Sequence, residues 1–414
     1  MPVSRVRNSV TNFPEQHRQT GCPARKMLAN FGLGTLDTHS VEIKSLRSAE
    51  IGENFTHAVI ERRIPLSGSI ELLHPCNLKC VHCYCPEGEP NALSYEEICH
   101  IVDQAADEGL LWLLITGGEP LFHPRFLDIY THVKKRGIFV HLFTNGTMIT
   151  DKIADHFAQY PPFSIEISLY GASEETYEAV TRVRGSYKRC LRGIERVVAR
   201  KLPLTIKTPV MTLNKHELDD IAAIAGRHGV KFRYDPIITA KMNGDRSPLR
   251  YRLAPQEVIE IDLTHEDTAR AWEERCSKPD ALLPPDNIFT CGAGRTSFHI
   301  DPYGGLHGCL MTRKIGYSLR EMSFREAFER ILPALRGERD PNSICNGCET
   351  HDACGRCPGF TEWENGDHHS HAEYLCTIGE MRNEMFSHRD DGSIGLSVLG
   401  SGSAAGCSIG HCGH

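Results

Sequence analysis

The sequence predicts an α/β protein in which a barrel-like sheet of six parallel strands precedes a cysteine-rich region. Between residues 66 and 237, short apolar, β-rich runs alternate with amphipathic helical stretches. The spacings leave room for a crossover helix between successive strands, which is the pattern of parallel βαβ units. From residue 291 to 386 the chain becomes rich in Gly and Cys. Little apolar sequence remains there for a core, so we expect bound metal to stabilise this region.

The six candidate strands predict a partial (β/α)6 barrel whose functional site lies at the carboxyl ends of the strands. They are Ser69–Leu73, Leu111–Thr116, Phe139–Thr144, Ser164–Leu169, Leu204–Val210 and Lys231–Tyr234. Ser94 and Glu97 have the spacing of a capping box, which predicts the start of a helix between the first two strands. Asn214 and Glu217 have the same spacing and predict the start of a helix after the fifth strand.

Charge and apolar patterning exclude several classes of protein. The 414 residues include 46 Lys and Arg against 53 Asp and Glu, a formal net charge of −7. This balance argues against general binding of nucleic acids or anionic lipids. The longest apolar run, Leu110–Ile115, is six residues, whereas a membrane-spanning helix needs about 20. Residues 1–20 lack the apolar segment of a signal peptide, so we expect a cytoplasmic protein.

Composition divides the chain into five segments. They are an N-terminal extension (1–65), the barrel (66–237), a connector (238–290) with one helix from Pro255 to Leu263, the cysteine-rich region (291–386) and a flexible Cys/His tail (387–414). The tail follows a Gly/Ser linker and ends in two thiols and two imidazoles. It is either a mobile end without a fixed role, a source of metal ligands, or a peptide that imitates a substrate.

The 17 cysteines favour metal or redox chemistry over disulfides in a chain without an export signal. Cys76, Cys80 and Cys83 have the spacing C-x3-C-x2-C directly after the first strand. Three thiolates on one loop can bind three irons of a 4Fe-4S cluster and leave the fourth iron open, as catalysis requires. A zinc site completed by Cys85 or His82 is the alternative.

In this position the three cysteines resemble the signature of the radical S-adenosylmethionine enzymes. Gly117, Gly118 and Glu119 end the second strand and resemble the Gly-Gly-Glu motif of that family. The resemblance implies that this motif holds the methionine amino group of S-adenosylmethionine, with glycines that let the main chain approach the ligand. It also implies that a reduced cluster cleaves the cofactor, and that the 5′-deoxyadenosyl radical removes hydrogen from an unactivated carbon.

The resemblance assigns three further cofactor contacts. His82 takes the position of a residue beside the adenine, and Ser168 takes that of a contact to the ribose or carboxylate. Many relatives place an arginine for the carboxylate where Thr181 stands here, which leaves the neighbouring Arg182 as the candidate. The alternatives are a surface histidine, an ordinary hydroxyl at a strand end and a solvated charge.

No catalytic residue is evident from a motif. Asp235 and Tyr234 end the sixth strand and are the candidates to face the barrel mouth, where they would contact substrate or move a proton. A structural role is the alternative for both.

A second group of seven cysteines follows the barrel. From spacing alone, its two C-x2-C pairs also fit a zinc ribbon. After a barrel of this kind the array resembles the SPASM domain, which holds two auxiliary iron–sulfur clusters in radical enzymes that modify peptides and proteins. Ser297–Gly305 also resembles the hairpin of that domain. The resemblance implies an outer set of Cys345, Cys348, Cys354 and Cys376, and an inner set of Cys291, Cys309 and Cys357.

The inner set departs from the family pattern. Position 297, an extra ligand in some relatives, is Ser297. The fourth site is therefore open to substrate, or filled by a residue such as Cys276, or by a cysteine of the tail. Leu310 follows Cys309 where the sulfatase-activating branch has an acidic base, which argues against that branch.

Together these features predict a radical enzyme that abstracts hydrogen from a ribosomally made peptide and installs a cross-link, a thioether or another oxidative modification. Its cofactors would be S-adenosylmethionine, the 4Fe-4S cluster that binds it and two auxiliary iron–sulfur clusters. Its partners would be the peptide and an electron donor such as flavodoxin or ferredoxin, with room for a separate leader-binding protein. The rivals are a radical enzyme that acts on a small molecule or tetrapyrrole, and a non-catalytic iron–sulfur or zinc protein with a redox or scaffold role.

Overall fold

The computed structural model describes residues 48–86, 88, 91–277, 288–289, 291–337, 340, 343–346 and 348–387. In this part of the chain, one nine-stranded sheet runs in the order β6-β5-β4-β3-β2-β1-β7-β8-β9. The strands are β1 (Ser67–Glu71), β2 (Trp112–Thr116), β3 (Phe139–Thr144), β4 (Ser164–Ser168), β5 (Leu204–Pro209), β6 (Lys231–Asp235), β7 (Ser297–Ile300), β8 (Gly305–His307) and β9 (Gly316–Ser318). The predicted Cys/His tail lies outside the described residues, except for Ser387.

Helices connect the strands and cover one face of the sheet. They are α1 (Ser48–Glu61), α2 (Tyr95–Asp107), α3 (Phe126–Lys135), α4 (Asp151–Gln159), α5 (Glu174–Thr181), α6 (Ser186–Ala199), α7 (Leu218–Arg227), α8 (Pro255–Thr264), α9 (Glu266–Ser277), α10 (Phe324–Leu335), α11 (His351–Cys354), α12 (Pro358–Asn365) and α13 (Glu373–Phe386). No helix in the described residues has both the length and the apolar character that a membrane crossing requires.

The predicted parallel sheet is confirmed. Strands β1 to β6 each pair in parallel with the next, and their bounds agree with the predicted ones to within two residues. In β2 to β5 buried side chains alternate with more exposed ones. The buried face packs with the helices into the main core, where β2 contributes Leu113 and Ile115 and α3 contributes Ile129. We call the opposite face of β1–β6 the inner face.

One of the two predicted capping boxes is confirmed. Ser94 Oγ accepts a hydrogen bond from Glu97 N at 3.2 Å, and Glu97 Oε2 accepts one from Ser94 N at 2.7 Å. The helix predicted to start at Asn214 is present, because a short 3-10 turn (Lys215–Glu217) leads from Asn214 into α7, but the predicted capping box is not formed. Asn214 Nδ2 instead donates to Tyr170 O at 3.1 Å, and Glu217 accepts hydrogen bonds from the segment that begins α5. Both side chains therefore make tertiary hydrogen bonds in place of the local ones of a capping box.

The sheet continues into the cysteine-rich region. Strand β7 pairs in parallel with β1, with Ser297 opposite Ser67, and β8 returns antiparallel to β7. The hairpin predicted from Ser297 to Gly305 is confirmed. As a consequence, the strand that precedes the first cysteine cluster lies beside the hairpin that leads to Cys309.

The segment predicted as a connector contains two helices that pack on α13. The predicted helix from Pro255 is confirmed as α8, whereas α9 was not predicted, because it is densely charged and buries only Thr268. Asp262 of α8 accepts a hydrogen bond from Arg382 Nε at 2.8 Å, and the Arg382 guanidinium lies 3.7 Å from the centre of the Trp272 ring. This buried ion pair connects the cysteine-rich region to the two helices.

Candidate active site

The loop with the first three cysteines lies against the end of α5. Lys79 N donates a hydrogen bond to Thr181 O at 3.0 Å, and Val81 N donates one to Val180 O at 3.0 Å. These bonds flank Cys80 in the chain. The loop has no regular secondary structure of its own, so the end of the helix determines where its thiols lie.

The three thiols lie in a largely enclosed environment near one another. Burial raises the pKa of Cys76 to about 11 and that of Cys80 well above the usual value, and nearby thiolates raise both further. The pKa of Cys83 is lowered to about 7, first because the Cys85 thiol donates a hydrogen bond to it. Three thiolates so close together repel one another unless cations neutralise them. This donor set therefore fits an iron–sulfur cluster.

Hydrogen-bond donors already point at one of these sulfurs. Leu78 N donates to Cys76 Sγ at 3.4 Å, and Asn145 Nδ2 donates to it at 3.7 Å. Within the described residues, no three His, Cys, Asp or Glu side chains converge on a point that suits a single metal ion. A 4Fe-4S cube binds each thiolate at a different iron, so its ligands surround a volume and do not share one point.

The glycine pair after β2 packs against the chain that leads to Cys76. Gly117 has a φ of +136°, and a Cβ there would lie 2.5 Å from Leu73 O. At Gly118 a Cβ would lie 2.0 Å from His74 O. The close approach that excludes a side chain is thus made by protein backbone, which is a different reason from the access to a ligand that we expected. A contact of this pair with the cofactor stays a prediction.

Glu119 ties the end of β2 to the turn after β3. Its carboxylate is fully buried and accepts hydrogen bonds from Leu121 N at 3.1 Å, Thr144 Oγ1 at 2.6 Å and Asn145 N at 2.7 Å. Burial nevertheless raises the pKa of the Glu119 carboxyl to about 7. The side chain positions the Gly-Gly-Glu turn and carries a negative charge that depends on pH near neutrality.

We expect Glu119→Gln to remove a pH dependence of stability. A carboxyl whose pKa is raised on folding stabilises the protein below its unfolded value near 4.5, and this contribution is lost as the pH rises through about 7. Relative to the neutral Gln variant, the wild type should lose on the order of 2–3 kcal/mol between pH 5 and pH 8. Urea unfolding of both proteins, without added S-adenosylmethionine, measures this difference.

The control is Glu326→Gln, because Glu326 is exposed and hydrogen bonds from Ser323 lower its pKa. Its titration therefore falls below pH 5, and its difference from the wild type should stay constant. A Glu119 difference that stays constant or grows with pH would mean that the three donors keep the carboxylate ionised throughout.

An aromatic pair and a hydroxyl lie beside the cysteine loop. The His82 and Tyr170 rings are 4.9 Å apart between centroids, and burial lowers the pKa of His82 to about 4, so the imidazole is neutral. His82 Nδ1 is buried and has no hydrogen-bond partner among the described residues. Tyr170 donates a hydrogen bond to the Cys80 thiol and accepts one from Ser168. A flat ring with an unused nitrogen fits the predicted adenine contact.

The structure shows the surroundings of Thr181, which stands where many relatives have an arginine. Thr181 is fully buried, and its Oγ1 lies 2.8 Å from Ser186 Oγ, so its side chain is unavailable to a cofactor. Arg182 follows in the left-handed region with φ +59° and is exposed. Because Lys79 N binds the carbonyl of Thr181, the Arg182 backbone lies next to the cysteine loop. Its role as a carboxylate contact stays a prediction.

The two candidates at the end of β6 point in opposite directions. The Tyr234 hydroxyl lies 2.9 Å from Thr268 Oγ1 of α9, on the outer face, so the prediction that Tyr234 faces the barrel mouth is wrong. Successive residues of a strand alternate between faces, and Asp235 shares the inner face with Arg233. Asp235 is exposed at the end of the strand, and its Oδ1 accepts a hydrogen bond from Ile237 N at 2.9 Å. That bond and the charge of Arg233 oppose the rise in the pKa of Asp235 that loss of solvent contact causes. A catalytic role for Asp235 stays a prediction.

The structure brings the predicted outer set of cysteines together. Burial raises the pKa of Cys354 to about 11, and Cys376, Cys348 and Cys345 raise it further through their thiolate charges. Cys376 is affected by Cys345 and Cys348 in the same way. A Cβ on Gly379 would lie 2.4 Å from the Cβ of Cys354, so α11 and α13 pack closely at this point.

The chain segments that carry two cysteines of the inner set, Cys291 and Cys309, meet at the β7–β8 hairpin. Gly294 N donates to Gly308 O at 3.2 Å, which brings the segment after Cys291 to the residue before Cys309. Ser297 Oγ is buried nearby without a hydrogen-bond partner among the described residues. Cys276, a candidate fourth ligand, instead lies beside Arg382 and Asp352, on the side of the outer set. The contribution of Cys357, which precedes α12, stays a prediction.

A charged contact that no motif indicated connects the two cysteine regions. Arg313 Nη2 donates to Glu71 Oε2 at 2.8 Å, and Arg313 Nε donates to Leu310 O at 2.8 Å. Glu71 ends β1, is fully buried, and has a pKa held well below its usual range, against burial, chiefly by Arg313. The chain after Cys309 is thereby fixed to the strand that precedes Cys76. The partners are 242 residues apart, so sequence alone gave no signal for the pair.

Comparison with known proteins agrees with this site. A family model described as "Radical SAM superfamily" matches residues 70–225. The mycofactocin maturase MftC of Mycobacterium ulcerans (strain Agy99) is 28% identical over 329 residues, which cover 74% of this chain and 85% of that protein. An AdoMet-dependent heme synthase of Methanosarcina barkeri (strain Fusaro / DSM 804) is 26% identical over 326 residues, which cover 72% of this chain and 92% of that protein.

The fold is also similar to solved structures. Streptococcus suis SuiB bound to its precursor peptide SuiA has a TM-score of 0.61 at 16% identity, over 85% of this chain and 86% of that chain. A parallel α/β sheet with a three-cysteine loop after its first strand defines a class of enzymes that hold a catalytic iron–sulfur cluster. Residues 70–225 of this chain match the radical S-adenosylmethionine superfamily, and the chain is similar to enzymes of that superfamily over most of its length.

Proposed function

We propose that the protein modifies a ribosomally made peptide oxidatively, with two auxiliary iron–sulfur clusters next to its radical site. The observation that carries this proposal is the pairing of β7 with β1. It places the cysteine-rich region, whose outer thiols are gathered together, directly beside the strand that leads to Cys76. The maturase MftC and the SuiB structure with its precursor peptide support a peptide as the substrate.

Residues of this chain would hold the cofactors as follows. Cys76, Cys80 and Cys83 would bind the first cluster, and the neutral His82 ring would lie beside the adenine. When bound, the cluster and S-adenosylmethionine supply the one-electron chemistry that removes a hydrogen atom from an unactivated carbon. Glu119 positions the turn between β2 and β3 through its three hydrogen bonds.

Other residues would orient side chains at the site, connect its two cysteine regions or accept a proton. Ser168 orients the Tyr170 hydroxyl toward Cys80. The Arg313–Glu71 bond ties the chain after Cys309 to the strand that leads to Cys76. An auxiliary cluster bound by the inner set would supply an acceptor for the electron that leaves the substrate. Asp235, on the inner face among cations, is the candidate to accept a proton.

The test is an anaerobic reaction of the reconstituted, reduced protein with S-adenosylmethionine and synthetic peptides encoded by short reading frames beside its gene. We expect 5′-deoxyadenosine and a peptide that has lost hydrogen mass, with fragment spectra that locate the new bond. A tetrapyrrole assayed in parallel represents the rival, which the similarity to the heme synthase favours. Turnover of the tetrapyrrole with all peptides unchanged would replace the proposal by that rival.

A further inference from the structure

One buried serine at the inner set of cysteines has a hydroxyl that the rest of the protein does not use. Ser297 begins β7 and is 1% exposed, and its Oγ has no hydrogen-bond partner among the described residues. A buried hydroxyl without a partner loses its bonds to water and gains nothing in return, so such groups usually belong to a site that binds water, an ion or a ligand. The surroundings of Ser297 show which of these fits.

The chain that carries Cys291 contacts the Ser297 side chain. Ser297 N donates a hydrogen bond to Gly292 O at 3.2 Å, and a Cβ built on Gly292 would lie 3.4 Å from Ser297 Oγ. The second distance is that of an ordinary contact, so the hydroxyl is directed toward the residue next to Cys291. The unused oxygen therefore lies beside one of the three predicted thiols of the inner set.

The chain that carries Cys309 passes the same place. Gly294 N donates hydrogen bonds to two carbonyls, Ser297 O at 2.9 Å and Gly308 O at 3.2 Å. Because one amide binds both, the two carbonyl oxygens lie within about 6 Å of each other. Cys309 follows Gly308 directly. The segments of two inner cysteines therefore both meet at Ser297.

The helix that begins after Cys357 packs on the residues that follow Cys309. Cys357 is the N-cap of α12. A Cβ on Gly359 would lie 2.3 Å from the Cβ of Met311, and these two residues each stand two positions past one of the cysteines. The three cysteine-bearing segments are thus in contact with one another, and two of them contact Ser297. Three predicted thiols and one unused oxygen make four potential iron ligands.

We infer that Ser297 is the fourth ligand of the inner cluster and binds one iron through Oγ. The inference rests on the proposed auxiliary clusters and specifies how the inner one is held. On binding, the hydroxyl proton leaves to solvent and the alkoxide takes the place of a fourth thiolate, because ligands bind metal in their deprotonated form. Cys276 is no competitor for this position, since it lies on the side of the outer set.

This ligation restricts the role of the inner cluster. Four irons with four protein ligands leave none open to a thiolate of the substrate. The inner cluster would then take an electron from the substrate without binding it, so the peptide needs no cysteine for this step. An open fourth iron would instead favour peptides that carry a thiol.

The test compares the full-length, anaerobically reconstituted wild type with Ser297→Ala and Ser297→Cys. Each reduced protein receives S-adenosylmethionine, which occupies the open iron of the first cluster, and then isotope-labelled cyanide, a small ligand for any other open iron. Iron analysis and electron–nuclear double resonance of the frozen samples show whether cyanide is bound to a cluster. The control is Ser186→Ala, because Ser186 is also fully buried but its hydroxyl has a partner in Thr181 Oγ1 at 2.8 Å.

The wild type, Ser297→Cys and the control are expected to hold about twelve irons and to bind no cyanide. Ser297→Ala should bind about one cyanide per protein or, if the inner cluster is lost without its fourth ligand, contain about four irons fewer.

Three results would overturn the inference and leave the proposed function standing. They are cyanide bound to the wild type, a Ser297→Ala protein with all of its iron and no cyanide, and iron lost equally from Ser297→Ala and Ser297→Cys, since a thiolate can replace an alkoxide as an iron ligand. A wild type with only about eight irons would lack one of the two auxiliary clusters, and would count against the proposed function as well.

Discussion

Replacing Cys80 by Ala is expected to abolish the cleavage of S-adenosylmethionine. Cys80 is the middle ligand of the predicted triplet, is almost enclosed, and accepts a hydrogen bond from Tyr170. Without it, the first cluster would lose one of only three protein ligands. We expect the rate of 5′-deoxyadenosine formation to fall at least a thousandfold, which corresponds to about 4 kcal/mol of activation free energy. The iron content should fall by about four atoms.

Cys99→Ala is the control for this experiment. Cys99 is also a buried thiol, but it lies on α2 and interacts with Tyr95. This variant should retain its iron and cleave S-adenosylmethionine within about twofold of the wild-type rate. If Cys80→Ala kept both its iron and its activity, the triplet would not be the cluster site, and the neighbouring Cys85 would have to be examined as a ligand.

Sequence predicted the parts of this protein that depend on local pattern. The strand from Phe139 to Thr144 was predicted at its observed bounds because a short apolar, β-rich run lies there between Gly137 and the Asn145-Gly146 turn. The cysteine triplet was recognisable because its three thiols occupy eight consecutive residues. Such signals need no knowledge of the tertiary structure, since each is contained in one short segment.

The parts that sequence missed depend on residues far apart in the chain. Asn214 looked like a helix cap, but Tyr170 O offered its amide a buried partner 44 residues away. Tyr170 itself appeared as an ordinary residue after a strand, and only the folded loop brings it to Cys80. Helix α9 lacked a clear apolar period because its contacts with α13 include the Arg382–Trp272 stack. Local patterns contain no information about such partners.

The cysteine-rich region (291–386) shows both a local pattern that sequence reveals and contacts between distant residues that it does not. Spacing alone left a zinc ribbon and iron–sulfur clusters as equal interpretations, because C-x2-C pairs serve both. The structure gathers Cys345, Cys348, Cys354 and Cys376, which are separated in the chain by up to 31 residues of sequence. Four thiols and no histidine in this group agree with the proposed outer cluster. A measurement of iron must decide between the metals.

Replacing Cys354 by Ala is therefore expected to lower the iron content of the reconstituted protein from about twelve atoms to about eight. Ala keeps the Cβ that packs against Gly379, so the variant removes the sulfur and leaves the contact between α11 and α13 intact. S-adenosylmethionine cleavage should continue, because the predicted ligands of the first cluster, Cys76, Cys80 and Cys83, are separate from the outer set. Formation of modified peptide should fall at least a hundredfold, about 2.7 kcal/mol, because the proposed path for the substrate electron is lost.

The variant Cys276→Ala tests whether a cysteine that only lies near the outer set is needed to bind iron. Cys276 is near the outer set through Asp352 and Arg382 but is not part of the predicted ligand group, so this variant should keep all of its iron. A loss of iron in Cys276→Ala together with full retention in Cys354→Ala would reassign the outer cluster. Zinc in place of iron in both variants and in the wild type would instead favour the ribbon. Cleavage and peptide modification measured on the same samples then show whether the auxiliary region serves the reaction or only the fold, because a purely structural metal leaves the ratio of peptide product to 5′-deoxyadenosine unchanged.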